Sequence, residues 1–192
     1  NFYFIFILAI SIRLILLFPQ YSGDVKNHLA WAEGFISTPS NFYSQHFAGF
    51  NDPNYPPLAI YLFTVSLWLY KALLALFSYL NQSLSIFPSN LYSWFLHENT
   101  KIGFLKLPAV FSDIGLGCLI YRYCKQNSLK NTKLIVSLFL LSPATIYLST
   151  VWGQIEPITL FFIASSLVLA NPILSIPVFV FAILTKQTAL WL

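Results

Sequence analysis

The chain has 192 residues, of which 57% are hydrophobic and only 8% charged, against about 45–50% and about 25% in soluble domains. That balance excludes water as the main solvent and identifies an integral membrane protein. Ten basic and six acidic residues give a formal charge of +4, but the excess is gathered in one short stretch instead of along a face that could follow nucleic acid, so no nucleic-acid partner is expected.

In chain order, residues 1–18 form the first predicted membrane helix. Arg13 near its carboxyl end and the lack of a small-residue cleavage site argue against a signal peptide. Residues 19–57 are the main polar interval. Within it, Val25, Leu29, Ala32 and Ile36 recur at helical spacing, with Asp24 as the expected N-cap and Trp31 at headgroup level, which predicts a short interfacial helix. A breaker-rich turn, Asn51-Asp52-Pro53-Asn54-Tyr55-Pro56-Pro57, closes the interval. Residues 58–80 form an apolar helix, and residues 104–123, 134–150, 157–170 and 173–192 are further predicted membrane helices, the last three joined by very short turns. No internal repeat is evident. With no methionine and with both ends inside apolar runs, the chain is expected to be an amino-terminal fragment of a longer membrane domain.

Arg122, Lys125, Lys130 and Lys133 cluster between the helices 104–123 and 134–150, and a Lys/Arg-rich short loop belongs on the cytoplasmic side. Counting outward, residues 152–156 fall on the far side, Asn171-Pro172 on the cytoplasmic side and residues 185–187 in the outer part of the last helix. Counting inward leaves a parity question: a single crossing by residues 58–80 would put residues 20–57 in the cytoplasm.

Ionisable groups in or beside hydrocarbon are costly and each is a candidate site. Asp24 follows Ser22-Gly23 and reads equally as a helix cap and as a carboxylate facing a cavity. Glu156, in Trp152-Gly153-Gln154-Ile155-Glu156-Pro157, reads as a solvated turn or a site residue. Asp113 lies in mid-helix, where burial requires it to be neutral or paired, with Lys186 or Arg13 as partner. Lys186, beside Gln187 in an apolar helix, reads as a phosphate-binding ammonium or as a side chain snorkelling to the interface. His28, His46 and His97 have no ligand-like spacing and read as surface residues, and Cys118 and Cys124 lack a second pair and read as packing residues. No metal or cofactor is expected.

The order of these features resembles the GT-C superfamily of polyprenyl-phosphate-sugar-dependent glycosyltransferases. It looks closest to the dolichyl-phosphate-glucose-dependent glucosyltransferases of N-glycan assembly and the related bacterial mannosyltransferases. The residues that carry the likeness are Ser22-Gly23-Asp24 with His28 and Trp31, Asn54-Tyr55-Pro56-Pro57-Leu58, Lys106-Leu107-Pro108 with Ser112-Asp113, Ser142-Pro143, Trp152-Gly153-Gln154 with Glu156, and Thr185-Lys186-Gln187. The resemblance implies an all-α, polytopic transmembrane bundle whose first extracytoplasmic loop, residues 19–57, carries juxtamembrane helices. It further implies an inverting hexosyltransferase that moves mannose or glucose from a polyprenyl-phosphate donor to a lipid-linked or glycan acceptor, with Asp24 as general base and Lys186 at the lipid phosphate. Tyr55, Trp152, Gln154, Glu156 and Gln187 would line the donor or acceptor site. Glu156 departs from the pattern, since relatives often have aspartate or a non-acidic residue there.

The implied membrane is the plasma membrane in a bacterium and the endoplasmic reticulum in a eukaryote, with membrane lipid as a standing partner. The resemblance also puts Asp24 and Glu156 on one side, so residues 58–80 either return through residues 83–96 or lie as a juxtamembrane or re-entrant helix. The alternative function, a polytopic transporter or flippase of lipid-linked sugars, shares the spans and intramembrane charges but is expected to show repeats.

Overall fold

A computed structural model describes residues 2–19, 22–169 and 171–191, and the regular structure in them is entirely helical. Helix α1 (Phe2–Leu17) is followed by α2 (Gly23–Ser37), a 3-10 segment (Pro39–Ser44) and α3 (Pro57–Ser83). Then come α4 (Ser89–Leu96), α5 (Glu98–Gln126), α6 (Thr132–Leu140), α7 (Pro143–Ile146) and a π-helical segment (Tyr147–Trp152). Helices α8 (Glu156–Val168) and α9 (Pro172–Thr185) and a last 3-10 segment (Gln187–Trp191) complete the chain. The predicted bounds at residues 1, 170 and 192, and residues 20 and 21 of the predicted first loop, lie outside the described residues.

Helices α3 and α5 are long and apolar enough to cross a membrane, and α6 with the segment Pro143–Trp152, bent by 41°, adds a third if the pair is one span. The apolar helices α1, α8 and α9 are shorter.

Helix α5 is the hub, packing against α1, α2, α3, α4, α6, α8 and the π-helical segment. Gly115 and Gly117 let two of these neighbours come close, because Phe161 of α8 and Leu140 of α6 occupy the space a Cβ would need. Between α1, α5 and α6, Arg13 is fully buried. It donates to Asp113 Oδ2 at 3.2 Å and to the carbonyl of Leu140 at 2.8 Å. Of the two partners offered for Asp113, Arg13 is the one it has. Two opposite charges that neutralise each other and share hydrogen bonds are tolerated where either alone would not be.

Helix α3 packs against α2, α4, α5 and α9. Near its first turn Asn54 meets Gln187, just beyond α9, and Phe63 stacks on His28 of α2 at 4.2 Å. Two turns, or about 10 Å, beyond Phe63, Tyr70 donates to the carbonyl of Phe95 at 2.7 Å and packs against Phe104, in the second turn of α5. Helix α3, with the turn before it, thus touches α2 and the chain beyond α9 near its start, and α4 and the second turn of α5 further along. Helix α4, with eight residues, is about 12 Å long and too short to span hydrocarbon. It folds back on α3 and hands the chain directly to α5.

Three predicted elements are corrected. The helix expected over 134–150 breaks after Leu140, because Pro143 forces Ser142 into extended backbone (φ −61°, ψ 124°). The helix expected over 173–192 ends at Thr185, where Lys186 turns extended (φ −153°). Helix α5 begins six residues before the predicted start at 104, since its polar first turn, Glu98-Asn99-Thr100-Lys101, is held by Thr100 donating to the carbonyl of Trp94 and by the Lys101–Glu33 ion pair with α2.

Candidate functional site

Asp24 occupies the second position of α2, and the cap position belongs to Ser22. The expected capping role of Asp24 is therefore not what its carboxylate does. Ser22 does not cap either: its hydroxyl donates to the carbonyl of Trp152 at 2.7 Å. From the same turn, Trp152 Nε1 and Gln154 Nε2 both donate to Oδ2 of Asp24, each at 2.7 Å. Among the described residues Oδ1 has no partner. Two charge-assisted hydrogen bonds on one oxygen fix the plane of the carboxylate and leave its other oxygen open.

The turn that supplies these donors is built by an uncommon local geometry. The π-helical segment widens the chain before Trp152, and the amide N–H groups of Gly153 and Gln154 both reach back to the carbonyl of Leu148 at 3.0 Å. Gly153 then takes a left-handed conformation (φ 74°) and lies against Val25 and the Lys106 side chain, where a Cβ would collide. The glycine thus serves both the backbone reversal and the close docking of the turn onto α2.

Beside this clamp, Lys186 pairs with Oε1 of Glu156, the first residue of α8. A carboxylate there also favours the positive end of the helix dipole. Its Oε2 is buried and has no hydrogen-bond partner among the described residues. Lys186 also stands over the ring of Tyr55, 5.6 Å from its centre. A small cavity of about 140 Å³ adjoins the pair, lined by Glu156, Thr159, Lys186 and Thr188 among others. Gln187 donates weakly, at 3.4 Å, to the carbonyl of Asn54.

Tyr55 joins the two halves. Burial, then the carboxylates of Glu156 and of Asp24, push its phenol up to about 12, so both acids lie within electrostatic reach of one side chain. His28, expected at the surface, is instead 2% exposed among Phe63, Trp31 and Tyr55. Burial lowers its pKa to about 3; the Asp24 carboxylate opposes that shift and Lys186 adds to it. The ring is a neutral packing element within electrostatic reach of both Asp24 and Lys186.

The structure thus gathers Asp24, Trp152, Gln154, Glu156, Lys186 and Tyr55 at one end of the bundle, with Gln187 at the rim. Lys106, in the motif Lys106-Leu107-Pro108, is also a lone lysine in an apolar run, which is itself a signal of a site. It lies beneath the clamp, 1% exposed. His46, exposed, pairs with Asp52 at 3.1 Å, and no group of three or more His, Cys, Asp and Glu fit to hold a metal occurs among the described residues. Cys118 and Cys124 are unbridged. The basic loop follows α5, about 30 Å of helix beyond Lys106. No family model matches the chain, and neither does any curated protein or solved structure.

Proposed function

We propose that the chain belongs to a polytopic membrane glycosyltransferase that transfers a hexose from a polyprenyl-phosphate carrier to a lipid-linked or glycan acceptor on the non-cytoplasmic face, with inversion. The observation that carries this reading is the Asp24 clamp: one carboxylate oxygen held by two N–H donors and the other open, next to a lysine at a membrane-protein surface. A general base needs that arrangement, since its orientation must be fixed while one oxygen remains available for the acceptor hydroxyl.

In the proposed reaction Oδ1 of Asp24 takes the hydroxyl proton as the acceptor oxygen bonds to the anomeric carbon. The bond from that carbon to the phosphate oxygen breaks, and the carrier leaves as polyprenyl phosphate. With no enzyme nucleophile, a single displacement inverts the anomeric centre. Lys186 meets the charge that develops on the leaving phosphate. Its ion-pair partner is Glu156, whose Oε2, without a hydrogen-bond partner among the described residues, is available to a sugar hydroxyl. The positive-inside rule puts the loop after α5 in the cytoplasm and the Asp24 end outside. The shortness of α4, which has too few residues for a return crossing through residues 83–96, fits a first loop that begins and ends on the outer face, without a lone crossing by residues 58–80.

The test is transfer by the purified intact protein from polyprenyl-phosphate mannose or glucose to a lipid-linked oligosaccharide, with the anomeric configuration of the product read by NMR. An inverted product supports the reading. Transbilayer movement of the lipid-linked sugar in vesicles, with no new glycosidic bond formed, would favour the flippase reading instead.

A further inference from the structure

Lys106 is a charged side chain almost wholly enclosed by protein, and its place relative to Asp24 is specific. It donates to the carbonyl of Leu17, at the end of α1, at 2.9 Å, and to the carbonyl of Thr150, inside the π-helical segment, at 2.7 Å. Its methylene stem lies against Gly153, between the two residues whose side chains hold Asp24. The Leu17 carbonyl is one that α1 cannot use internally, and the Thr150 carbonyl belongs to a stretch whose helical ladder is loosened. A buried ammonium bound to two such carbonyls fixes the end of α1 and the turn at residues 152–154 to one point on α5.

From this geometry we infer that Lys106 is a positioning residue for Asp24: it sets the height and rotation of the Trp152–Gln154 turn, and through it the orientation of the base. Its described hydrogen bonds go to the backbone carbonyls of Leu17 and Thr150, so it acts on the base through the turn. The inference rests on the reading of Asp24 as the base. Ser22 closes the same circuit from the other side, since its hydroxyl holds the carbonyl of Trp152 while Lys106 holds that of Thr150. With either bond gone, the turn can slide relative to α2, and a shift on the order of 1 Å at the reacting geometry is enough to cost about a hundredfold in rate.

The experiment uses the intact protein in detergent and two readouts. Lys106→Met keeps the stem and removes the donors. It is expected to lower kcat by about ten- to a hundredfold with KM for donor and acceptor little changed, and to lower it no further in an Asp24→Asn background. The second readout is the fluorescence of Trp152, taken as the difference between each protein and its Trp152→Phe counterpart. This signal should shift in Lys106→Met as the indole N–H leaves the carboxylate. Wild-type kcat together with an unshifted Trp152 signal would overturn the inference, and so would a full additional loss in the Asp24→Asn background. If Lys106→Met is not monodisperse, Lys106→Gln, which keeps N–H donors on a shorter stem, must show the same two changes in smaller degree, and their absence there overturns the inference equally. Should Asp24→Asn itself turn over normally, the base assignment fails, while the Trp152 signal still decides whether Lys106 positions the turn.

Discussion

The indole N–H of Trp152 donates to the carboxylate of Asp24 at 2.7 Å, joining positions 128 residues apart in the chain. Hydrogen bonds to a charged group contribute about 1.5–3 kcal/mol, so their removal should show in turnover before it shows in folding. Trp152→Phe keeps the ring packed on Tyr147 and deletes the donor. A fall of about tenfold in kcat is expected, with a comparable fall for Gln154→Leu, and a double variant slower than either. Unchanged kcat in both single variants would mean that the clamp does not serve the reaction.

Lys186 and Glu156 should behave oppositely toward the donor. If the ammonium receives the carrier phosphate, Glu156, its ion-pair partner, competes for it. Lys186→Ala is then expected to raise KM for the polyprenyl-phosphate sugar and to lower kcat, whereas Glu156→Gln should lower KM for the donor by releasing the lysine. Donor titrations of the two variants check this, and a raised KM in both would instead make Glu156 a direct contact to the sugar.

His28 makes stability depend on pH. Its folded pKa of about 3 lies below the ordinary value of 6.5, so between these the unfolded chain binds a proton that the folded chain does not. Stability is full above about pH 6.5 and is lost as pH falls from there toward 3, on the order of 2 kcal/mol by pH 5. His28→Phe retains the stack on Phe63 and removes the titration. Thermal melts in detergent at pH 7.5 and pH 5 should show a smaller acid-induced drop in Tm for the variant than for the parent. Equal drops would show that His28 is not buried as described.

The buried pair between α1 and α5 gives a folding prediction. Asp113→Leu leaves Arg13 enclosed without its counter-charge, which costs about 3–5 kcal/mol, and the monodisperse yield should collapse. Arg13→Leu combined with Asp113→Leu removes both charges and should restore much of that yield. A double variant as poor as Asp113→Leu alone would mean that the hydrogen bonds from Arg13 to Leu140 and Ala9 matter more than its charge.

Apolar periodicity located the helices because hydrocarbon-facing segments must run long and uncharged, and it placed α2 from its spacing of Val25, Leu29 and Ala32. It missed the break at Ser142 and the end of α9 at Thr185, since both depend on backbone conformation in runs that remain apolar throughout. The polar residues of the site were legible as misfits in an apolar chain, but their partners were not. That Asp24 meets Trp152 and Gln154 rather than its own helix end, that Lys186 meets Glu156, and that Lys106 lies beneath the clamp all follow from the way α5 gathers distant segments. The burial of His28 was hidden for the same reason: a histidine in a polar interval reads as exposed until Phe63 of α3 stacks on it.

The most direct measurement of the account is sugar transfer by Asp24→Asn in the intact protein. The amide has nearly the shape of the carboxylate and can still accept the hydrogen bonds from Trp152 and Gln154 through its carbonyl, so folding and donor binding should persist while basicity is lost. Transfer from the polyprenyl-phosphate sugar should fall by about 10²–10⁴-fold with KM for the donor near the parent value. Turnover close to that of the parent protein would contradict the assignment of Asp24 as the base and remove the main support for glycosyl transfer by this chain.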